Sequence, residues 1–414
     1  MRSDARALRV MTRLDQLAAH TEEPGVITRP YGTPAFVAGN ALVRRWMTEA
    51  DLTTRIDPAG NLIGRYEGLD PTAGVIVLGS HIDSVRDAGR YDGTLGVILA
   101  IELVEGLRST GRRLPSAIEI CAWADEEGLR FGVSCLGSRA YVGTVDPAEL
   151  EIIDTTGVTM ADAVRASGGD PDALEDARRD PADLSCYFEV HIEQGPVLEA
   201  RGGAVGVVTG IAGQSRGTVT FTGRAGHAGT TPPDLRRDAL CAAAEWVLGV
   251  ERLQAEVSGL LATVGRIENA PNGGNVIPGR TEASYDIRHD DDRVRTKAVL
   301  ATESLARTIG SARQVHVEWR ALQDTSAVGF SEELANLLEQ ASEAVGTDTL
   351  RVRSGAGHDA GHLSGIVETA MLFVRCAGGI SHHPDESVAV VDVDVAIRVA
   401  DEFLTLIGAR LGRP

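Results

Sequence analysis

The sequence is poor in aromatic residues, in cysteine and in long apolar runs, and each shortage excludes a class of protein. Phe, Trp and Tyr make up 4% of the 414 residues, so the core must be mostly aliphatic. The five cysteines are scattered without a C-x-x-C pair, which is typical of free thiols in a reducing cytosol. No apolar stretch reaches the roughly 18 residues of a membrane span, and the N-terminal segment lacks the apolar centre of a signal peptide. The sequence therefore predicts a cytoplasmic protein with no membrane partner.

Basic residues are also in deficit. Lys and Arg number 40 against 59 Asp and Glu, which gives a formal net charge of −19. Such a chain repels phosphate backbones, and no dense Lys/Arg stripe offsets the repulsion. We therefore expect no nucleic-acid partner. The hydrophobic fraction of 43% is ordinary for a globular protein, and the length allows two or three domains.

Short apolar runs alternate with amphipathic stretches in the first half of the chain. The pattern predicts strands at 75–78, 117–123 and 186–192, and helices at 94–108 and from 138 onward. Alternation of this kind is typical of a mostly parallel sheet covered by helices on both faces. It resumes near the C-terminus, with a helix at 332–345, a strand at 370–376 and a helix at 393–407.

Between these two parts the pattern changes. The predicted elements there are a strand at 218–223, a helix at 236–253, strands at 260–268 and 281–289, a helix at 290–309 and a strand at 314–322. Their β-α-β-β-α-β order is the ferredoxin-like arrangement. The predicted fold class is therefore α/β, a mostly parallel mixed-sheet catalytic domain with an inserted α+β ferredoxin-like domain. We place the catalytic domain at residues 1–212 and 324–414 and the insertion at 213–323.

Four segments place His, Asp or Glu at or just after the carboxyl end of a predicted strand. They contain His81, Asp83 and Asp92; Asp125, Glu126 and Glu127; His191 and Glu193; and His382 and His383. Ligands of open α/β sheets bind outside the carboxyl ends of the strands, so the four segments can converge. A mixture of imidazoles and carboxylates suits zinc, manganese, cobalt or nickel better than calcium or magnesium. The five best donors, enough for two divalent ions sharing one carboxylate, are His81, Asp92, Glu127, His191 and His382.

Each segment alone has a simpler explanation. A strand-end histidine such as His191 is more often a hydrogen-bonded core residue than a ligand, and adjacent glutamates are usually a solvated acidic pair. His382 and His383 could be unrelated loop residues. The occurrence of four such clusters on one predicted edge favours a metal site over four separate coincidences.

Seven motifs, in order, resemble one known family. They are GSHIDSV…YDGTLGV, DEEGLRFG, HIEQGPVLE, GHAGTTPPDLRRDA, NVIPG…DIRH, SGAGHDA and GISHHPDE. These resemble the hydantoinase/carbamoylase branch of the dinuclear metallo-aminoacylase/carboxypeptidase superfamily. That branch includes N-carbamoyl-L-amino-acid hydrolases, allantoate amidohydrolases and bacterial-type β-ureidopropionases. The resemblance runs from about residue 25 to the C-terminus.

The resemblance implies a role for each candidate ligand. His81 and His191 would hold one metal, Glu127 and His382 the other, and the Asp92 carboxylate would bridge the two. Asp83 would sit behind His81, where an aspartate can hydrogen-bond the far ring nitrogen and fix the tautomer. Glu126 would be the general base, taking a proton as a metal-held hydroxide attacks and passing it to the departing nitrogen.

The resemblance also implies substrate contacts and a homodimer, with the insertion at 213–323 as the lid and dimerisation domain. His227, in a Gly-rich turn, would reach into the active site of a partner subunit and stabilise the developing oxyanion. Arg288 would grip a substrate carboxylate through two parallel hydrogen bonds. The other implied substrate-binding residues are Asn275, which matches a pair with Arg288, and Gln194, Gln214, Gly357 and His358.

The leading functional hypothesis is hydrolysis of the C–N bond of an N-carbamoyl-L-amino acid to the amino acid, CO2 and ammonia. Allantoate is the second candidate substrate because its carboxylate and ureido groups suit the same residues. β-Ureidopropionase and dipeptidase or aminoacylase activities follow. The alternative is a non-catalytic metal-binding homologue, which would lack a metal ligand or the general base. The five predicted ligands and Glu126 are all present in this sequence.

Overall fold

The computed structural model describes residues 3–412 and separates into two compact units. One unit runs to Thr209 and resumes at Gly329, and the other is Gly210–Val328. The sequence-based boundaries lie within five residues of these points, at 213 and 323.

The secondary structure of the described residues comprises eleven α-helices and sixteen strands, with short 3-10 turns between them. The helices are α1 Ser3–Ala18, α2 Pro34–Glu49, α3 Thr94–Ser109, α4 Leu136–Val142, α5 Met160–Ala166, α6 Val197–Arg201, α7 Ala239–Glu256, α8 Asp292–Arg313, α9 Glu332–Ala344, α10 Asp359–Leu363 and α11 Val390–Leu411. The strands are β1 Thr53–Ile56, β2 Leu62–Tyr66, β3 Val75–His81, β4 Ile118–Trp123, β5 Leu184–Ile192, β6 Val205–Ile211, β7 Gly213–Thr222, β8 Gly226–His227, β9 Leu261–Thr263, β10 Ile267–Ala270, β11 Val276–Ile277, β12 Arg280–His289, β13 His316–Thr325, β14 Val328–Gly329, β15 Leu350–Ser354 and β16 Thr369–Val374.

The larger unit is built on a nine-stranded mixed sheet in the order β1-β2-β4-β3-β5-β16-β6-β14, with β15 also on β6. Its four central strands, β4, β3, β5 and β16, are parallel to one another. Every residue of β3, β4 and β16 is buried, as expected of parallel strands covered on both faces. The predicted α/β class with a mostly parallel central sheet is confirmed.

The parallel direction brings four strand ends to one edge of the sheet. In the register of β3 and β4, His81 lies opposite Trp123, and in that of β5 and β16, His191 lies opposite Phe373. The segments that follow these strands carry the acidic and imidazole side chains. Apolar helices such as α3 and α11, most of whose residues are buried, pack against the sheet and hold this edge in place.

The smaller unit is built on a sheet in the order β10-β12-β7-β13, with β9 also on β12. Helices α7 and α8 cover one face, where Trp246 and Phe221 are fully buried. The sequence prediction of one strand over 260–268 is wrong, because Val264–Arg266 interrupt it and leave β9 and β10. The two pieces pair with different stretches of β12, so together they still occupy one position in the β-α-β-β-α-β order.

Free cysteine thiols and the lack of a membrane span are both predicted from the sequence. All five cysteines carry free thiols, which agrees with the absence of a disulfide framework. No helix within residues 3–412 combines the length and apolarity required to cross a bilayer. The cytoplasmic location stays a prediction.

Candidate metal centre

The first segment of the site begins at His81, the last residue of β3. The Nδ1 of His81 donates to the backbone carbonyl of Asp83 at 3.1 Å. Because a carbonyl only accepts, this bond puts the ring proton on Nδ1 and leaves the Nε2 lone pair for a metal. The Asp83 carboxylate lies 3.7 Å from Nδ1. The backbone of Asp83, rather than the side chain we expected, therefore fixes the tautomer.

The Asp83 carboxylate shapes the second segment instead. One oxygen accepts the backbone N–H of Glu126 at 3.3 Å and the other accepts that of Glu127 at 3.1 Å. The preceding Asp125 adopts a left-handed conformation with φ of 51°, which turns the chain sharply after β4. Asp83 thus orients both glutamates through their backbone.

A glycine lets the first segment close on itself. Gly93 follows Asp92 and is the N-cap residue of α3, with φ of 64°. A Cβ at this position would overlap the His81 Nε2. Only glycine allows both this conformation and this approach, so the sequence keeps space clear around the metal-facing nitrogen.

The third and fourth segments contribute histidines. His191, in β5, donates from Nδ1 to the Ile192 carbonyl at 2.8 Å. Its Nε2, which accepts the Gly93 backbone N–H at 3.2 Å, then carries the lone pair that can bind a metal. His382 lies in a loop with φ of 54° and is half exposed, at 48% of its side chain. His191 is therefore held in the core, whereas His382 lies in a half-exposed loop.

The Asp92 carboxylate joins the two groups of donors. One oxygen lies 3.1 Å from the His191 Nε2 and 3.9 Å from the His81 Nε2. The other lies 3.0 Å from the His382 Nε2, which is itself 3.6 Å from a Glu127 oxygen. In each trio of His81, Asp92 and His191, and of Asp92, Glu127 and His382, the ligand atoms lie within 4.8 Å of one another. The structure thus brings all five predicted donors together, with Asp92 common to both trios.

The chemistry of the donors fits divalent cations. Glu127 is largely buried, and its Oε1 has no hydrogen-bond partner among residues 3–412. Burial raises the pKa of Glu127 to about 8, and the charge of Asp92 adds to the effect. Buried carboxylates this close repel each other unless a cation or a proton lies between them. An orphaned carboxylate oxygen facing an imidazole is the arrangement that a metal ion would satisfy.

Glu126 lies beside these trios. Its Oε2 is 3.8 Å from the His81 Nε2 and its Oε1 is 3.7 Å from the thiol sulfur of Cys135. Burial, and then the charge of Glu127, raises the pKa of Glu126 well above the usual range. Glu126 also forms one of two further possible trios, with His81 and Glu127; the other is Glu189, His191 and His358. It can therefore serve as a proton acceptor or as a ligand, and an experiment must separate the two.

A buried glutamate that we did not identify from the sequence ties two segments together. Glu386 accepts the backbone N–H groups of Tyr91 at 2.8 Å and Asp92 at 3.2 Å, and its other oxygen accepts the Ser381 hydroxyl at 3.0 Å. Glu386 therefore positions both Asp92 and the loop that carries His382. It stands inside the GISHHPDE motif, which was its only sequence signal.

A second group that the sequence analysis missed lies behind His191. Glu189 is fully buried and accepts from the Ser80 hydroxyl, the Tyr187 hydroxyl and the Ala360 backbone N–H. Its position two residues before His191 on a strand places both side chains on the same face. Glu189 thereby fastens the first turn of α10 to the sheet.

The predicted substrate residues of this unit have different surroundings. The Gln194 amide donates to the Asp92 carboxylate at 3.0 Å, so Gln194 belongs to the donor cluster. His358 is buried, with its ring 4.5 Å from that of His191 and its Nε2 2.8 Å from the Ser354 hydroxyl. Its side chain supports His191. A Cβ at Gly357 would meet no atom within 4 Å, so its backbone has open space beside it.

The predicted substrate residues of the smaller unit form two separate groups. Gln214 and Arg288 lie opposite each other on β7 and β12 and both donate to the Asp286 carboxylate. His227 ends β8 of the short β8–β11 ribbon and Asn275 directly precedes β11, where the Ala228 N–H donates to the Asn275 carbonyl. The structure therefore places Asn275 beside His227, and the joint role of Asn275 and Arg288 in binding substrate stays a prediction.

Metal binding is expected to release protons. Burial opposes a charge on His191, but the Asp92 hydrogen bond raises its pKa to about 9, and the same carboxylate raises that of His382 to about 9. Glu127, at about 8, is also protonated at pH 7 without metal. Ligands must lose these protons to bind a cation, so affinity is expected to rise with pH from 6 to 9. Calorimetric titration of Mn²⁺ in two buffers of different ionisation enthalpy measures the release, and zero net release contradicts the expectation.

The chain is similar to proteins of known family. Residues 77–406 match Peptidase family M20/M25/M40. An N-carbamoyl-L-amino acid amidohydrolase of Geobacillus stearothermophilus is 40% identical over 94% of this chain and 96% of its own length. A probable allantoate deiminase of Oryza sativa subsp. japonica is also 40% identical, over 92% of this chain and 84% of its own.

A solved structure extends the similarity to the whole fold. The amidase of the hydantoinase/carbamoylase family from Burkholderia multivorans superimposes with a TM-score of 0.92 at 33% identity, over 99% of this chain and 98% of that one. The resemblance stated from the motifs is confirmed. The chain therefore belongs to peptidase family M20/M25/M40 and, within it, to the hydantoinase/carbamoylase family of metal-dependent amidohydrolases.

Proposed function

We propose that the protein hydrolyses the C–N bond of N-carbamoyl-L-amino acids to the free amino acid, CO2 and ammonia. The observation that carries the proposal is the convergence of four donors around Asp92, the fifth, with Glu126 at their side. The carbamoyl-amino-acid hydrolase from Geobacillus, at 40% identity over nearly the whole chain, supports this substrate class.

Two divalent ions, zinc, manganese, cobalt or nickel, are the proposed cofactors. His81 and His191 would hold one, Glu127 and His382 the other, and Asp92 both. Such ions supply Lewis-acid polarisation of a carbonyl and lower the pKa of a coordinated water. Buried imidazole and carboxylate donors match that group of metals.

Glu126 carries the proton transfers in this proposal. It accepts a proton from the attacking water and delivers it to the nitrogen that leaves the carbamoyl carbon. Asp83 keeps Glu126 in place through its backbone N–H, and the Cys135 thiol lies against one carboxylate oxygen. Hydrolysis yields the amino acid and carbamate, which breaks down to CO2 and ammonia.

Recognition of the substrate is assigned to both units. Arg288, next to Gln214, is the proposed partner of the α-carboxylate, because a guanidinium pairs with a carboxylate through two hydrogen bonds. His227 would donate to the developing oxyanion, and Asn275 lies beside it. Gln194, together with the backbone at Gly357 and His358, would border the carbamoyl group.

The geometry of the smaller unit supports a homodimer with a shared site. Between Arg288 and Arg280 the strand β12 spans eight residues, about 27 Å at the usual rise, and His227 lies beyond the Arg280 end. A carbamoyl amino acid is much shorter than this distance. Arg288 and His227 of one rigid copy of the unit therefore cannot both contact the same substrate molecule. We propose that His227 and Asn275 come from the partner subunit.

Mixed dimers test the shared site. Inactive Glu126→Gln subunits combined with inactive His227→Ala subunits are expected to regain activity, because one of the two sites in each mixed dimer then has both residues intact. Exchange of the subunits is followed by native mass spectrometry and turnover by ammonia release. A mixture of two Glu126→Gln preparations is the control. Fully exchanged dimers that stay inactive contradict the contribution in trans.

A substrate panel tests the function itself. We expect the Mn²⁺-, Co²⁺- or Zn²⁺-loaded enzyme to turn over N-carbamoyl-L-amino acids with a higher kcat/KM than allantoate, N-carbamoyl-β-alanine or dipeptides. Allantoate is the second candidate substrate because the similar protein from Oryza sativa subsp. japonica is a probable allantoate deiminase. A markedly higher kcat/KM for allantoate overturns the first choice and leaves the proposed roles of the metals and Glu126 standing.

A further inference from the structure

Asp286 gathers three polar side chains on one face of the smaller sheet. Arg288 donates to it through Nε and Nη2, each at 2.8 Å. Across the register, Arg216 donates through Nε at 2.8 Å and Gln214 through its amide at 3.0 Å. Because side chains two apart on a strand share a face and paired residues face each other, these four groups form one cluster on β7 and β12.

The carboxylate at the centre of this cluster is the side chain of Asp286 itself. Burial works against the charge on Asp286, but hydrogen bonds from Arg288 and Arg216 outweigh it and lower the pKa. Asp286 is therefore ionised throughout the neutral range. Its paired contact with Arg288 is planar and two-pronged, so it fixes the plane of the guanidinium as well as its distance.

We propose that Asp286 is a positioning residue that orients Arg288 for the carboxylate of the substrate, and that it acts on substrate only through Arg288. The inference depends on the proposed function, in which Arg288 meets that carboxylate. A guanidinium on a long, partly exposed side chain loses rotamer entropy when it binds. Orientation in advance by Asp286 removes part of this cost.

The same strand contains a matched control. Glu282 lies four residues before Asp286 on the same face of β12 and also pairs with two arginines, Arg266 at 2.8 Å and Arg280 at 2.6 Å. Glu282→Gln therefore disrupts the same kind of contact in the same sheet. It leaves Asp286 and Arg288 untouched.

The test compares Asp286→Asn, Arg288→Ala, the double variant and Glu282→Gln. The two probes are N-carbamoyl-L-alanine and its carboxamide, which lacks the carboxylate charge. We expect Asp286→Asn to raise KM for the acid about tenfold, the size of a coupling between neighbouring side chains, with kcat little changed. For the carboxamide the expected change is below about twofold. In the Arg288→Ala background Asp286→Asn should add nothing, and Glu282→Gln should behave like the unmodified enzyme.

The outcomes separate this inference from the function on which it depends. Equal effects of Asp286→Asn on both probes, or an undiminished effect without Arg288, show a merely structural role and overturn the inference. The inference is also overturned if Arg288→Ala raises KM for the acid while Asp286→Asn leaves it unchanged. An Arg288→Ala variant with unchanged KM overturns the proposed role of Arg288 itself. Retained carboxamide turnover shows that the Asp286→Asn protein is folded.

Discussion

Replacing Glu126 with glutamine is expected to lower kcat for carbamoyl substrates by about a thousandfold, within the range typical of a lost general base, and to leave the metal content unchanged. Glutamine keeps the size of the side chain and its hydrogen-bonding oxygen, but it cannot accept a proton at neutral pH. The loop should stay in place because Asp83 holds it through the backbone N–H groups of Glu126 and Glu127. The measurements are ammonia release and metal analysis after dialysis.

The neighbouring glutamate is the matched control. Glu127 shares a trio with Asp92 and His382, so Glu127→Gln is expected to lose metal as well as activity. Glu126→Gln should lose only activity. If Glu126→Gln also loses a metal ion, Glu126 is a ligand, as its trio with His81 and Glu127 allows. If it keeps both metal and turnover, Glu126 is not the base.

The position of the candidate site could be predicted because it depends on a general property of parallel sheets. Once strands near 75–78 and 186–192 are recognised, their carboxyl ends must lie at one edge. His81 and His191 then fall close together, although 110 residues separate them in the sequence, and their rings lie 5.8 Å apart. The identity of the five donors followed from the same rule and from the motifs.

The partners of these donors could not be predicted, because hydrogen bonds depend on loop conformation and on strand register. The sequence contains many acidic residues, and the place of Glu386 in the GISHHPDE motif does not reveal that its side chain accepts the Asp92 backbone N–H. Asp83 and His81 show the same limit. A two-residue spacing indicates that they are close, but whether the backbone or the side chain of Asp83 meets the ring is decided by the turn after β3.

In the smaller unit, too, the order of the elements could be predicted from the sequence, but the relative positions of the substrate residues could not. Its β-α-β-β-α-β order follows from hydrophobic periodicity, and helices α7 and α8 cover the sheet as that order requires. The resemblance groups Asn275 and Arg288, thirteen residues apart, as two substrate contacts. The chain between them contains the start of β12, which carries Arg288 to the opposite end of the sheet from the ribbon that holds Asn275.

Replacing Asp92 with asparagine is expected to have the other large effect, the loss of both metal ions. Its two carboxylate oxygens face different trios, one toward His191 at 3.1 Å and the other toward His382 at 3.0 Å. An amide offers one oxygen and no negative charge, and its nitrogen would point at one of the two histidines. Neither trio then keeps its anionic ligand from Asp92, so metal stoichiometry and turnover should fall together.

The same loop supplies a control for this substitution. Asp87 is exposed and left-handed, with φ of 52°, a conformation that asparagine tolerates well. Asp87→Asn removes an equal charge five residues away and should keep two ions and full activity. Metal content is measured by mass spectrometry after dialysis, and affinity by titration of the apoprotein. An Asp92→Asn protein that still binds two ions with unchanged affinity contradicts a bridging carboxylate, because the remaining imidazoles and Glu127 would then suffice to hold both.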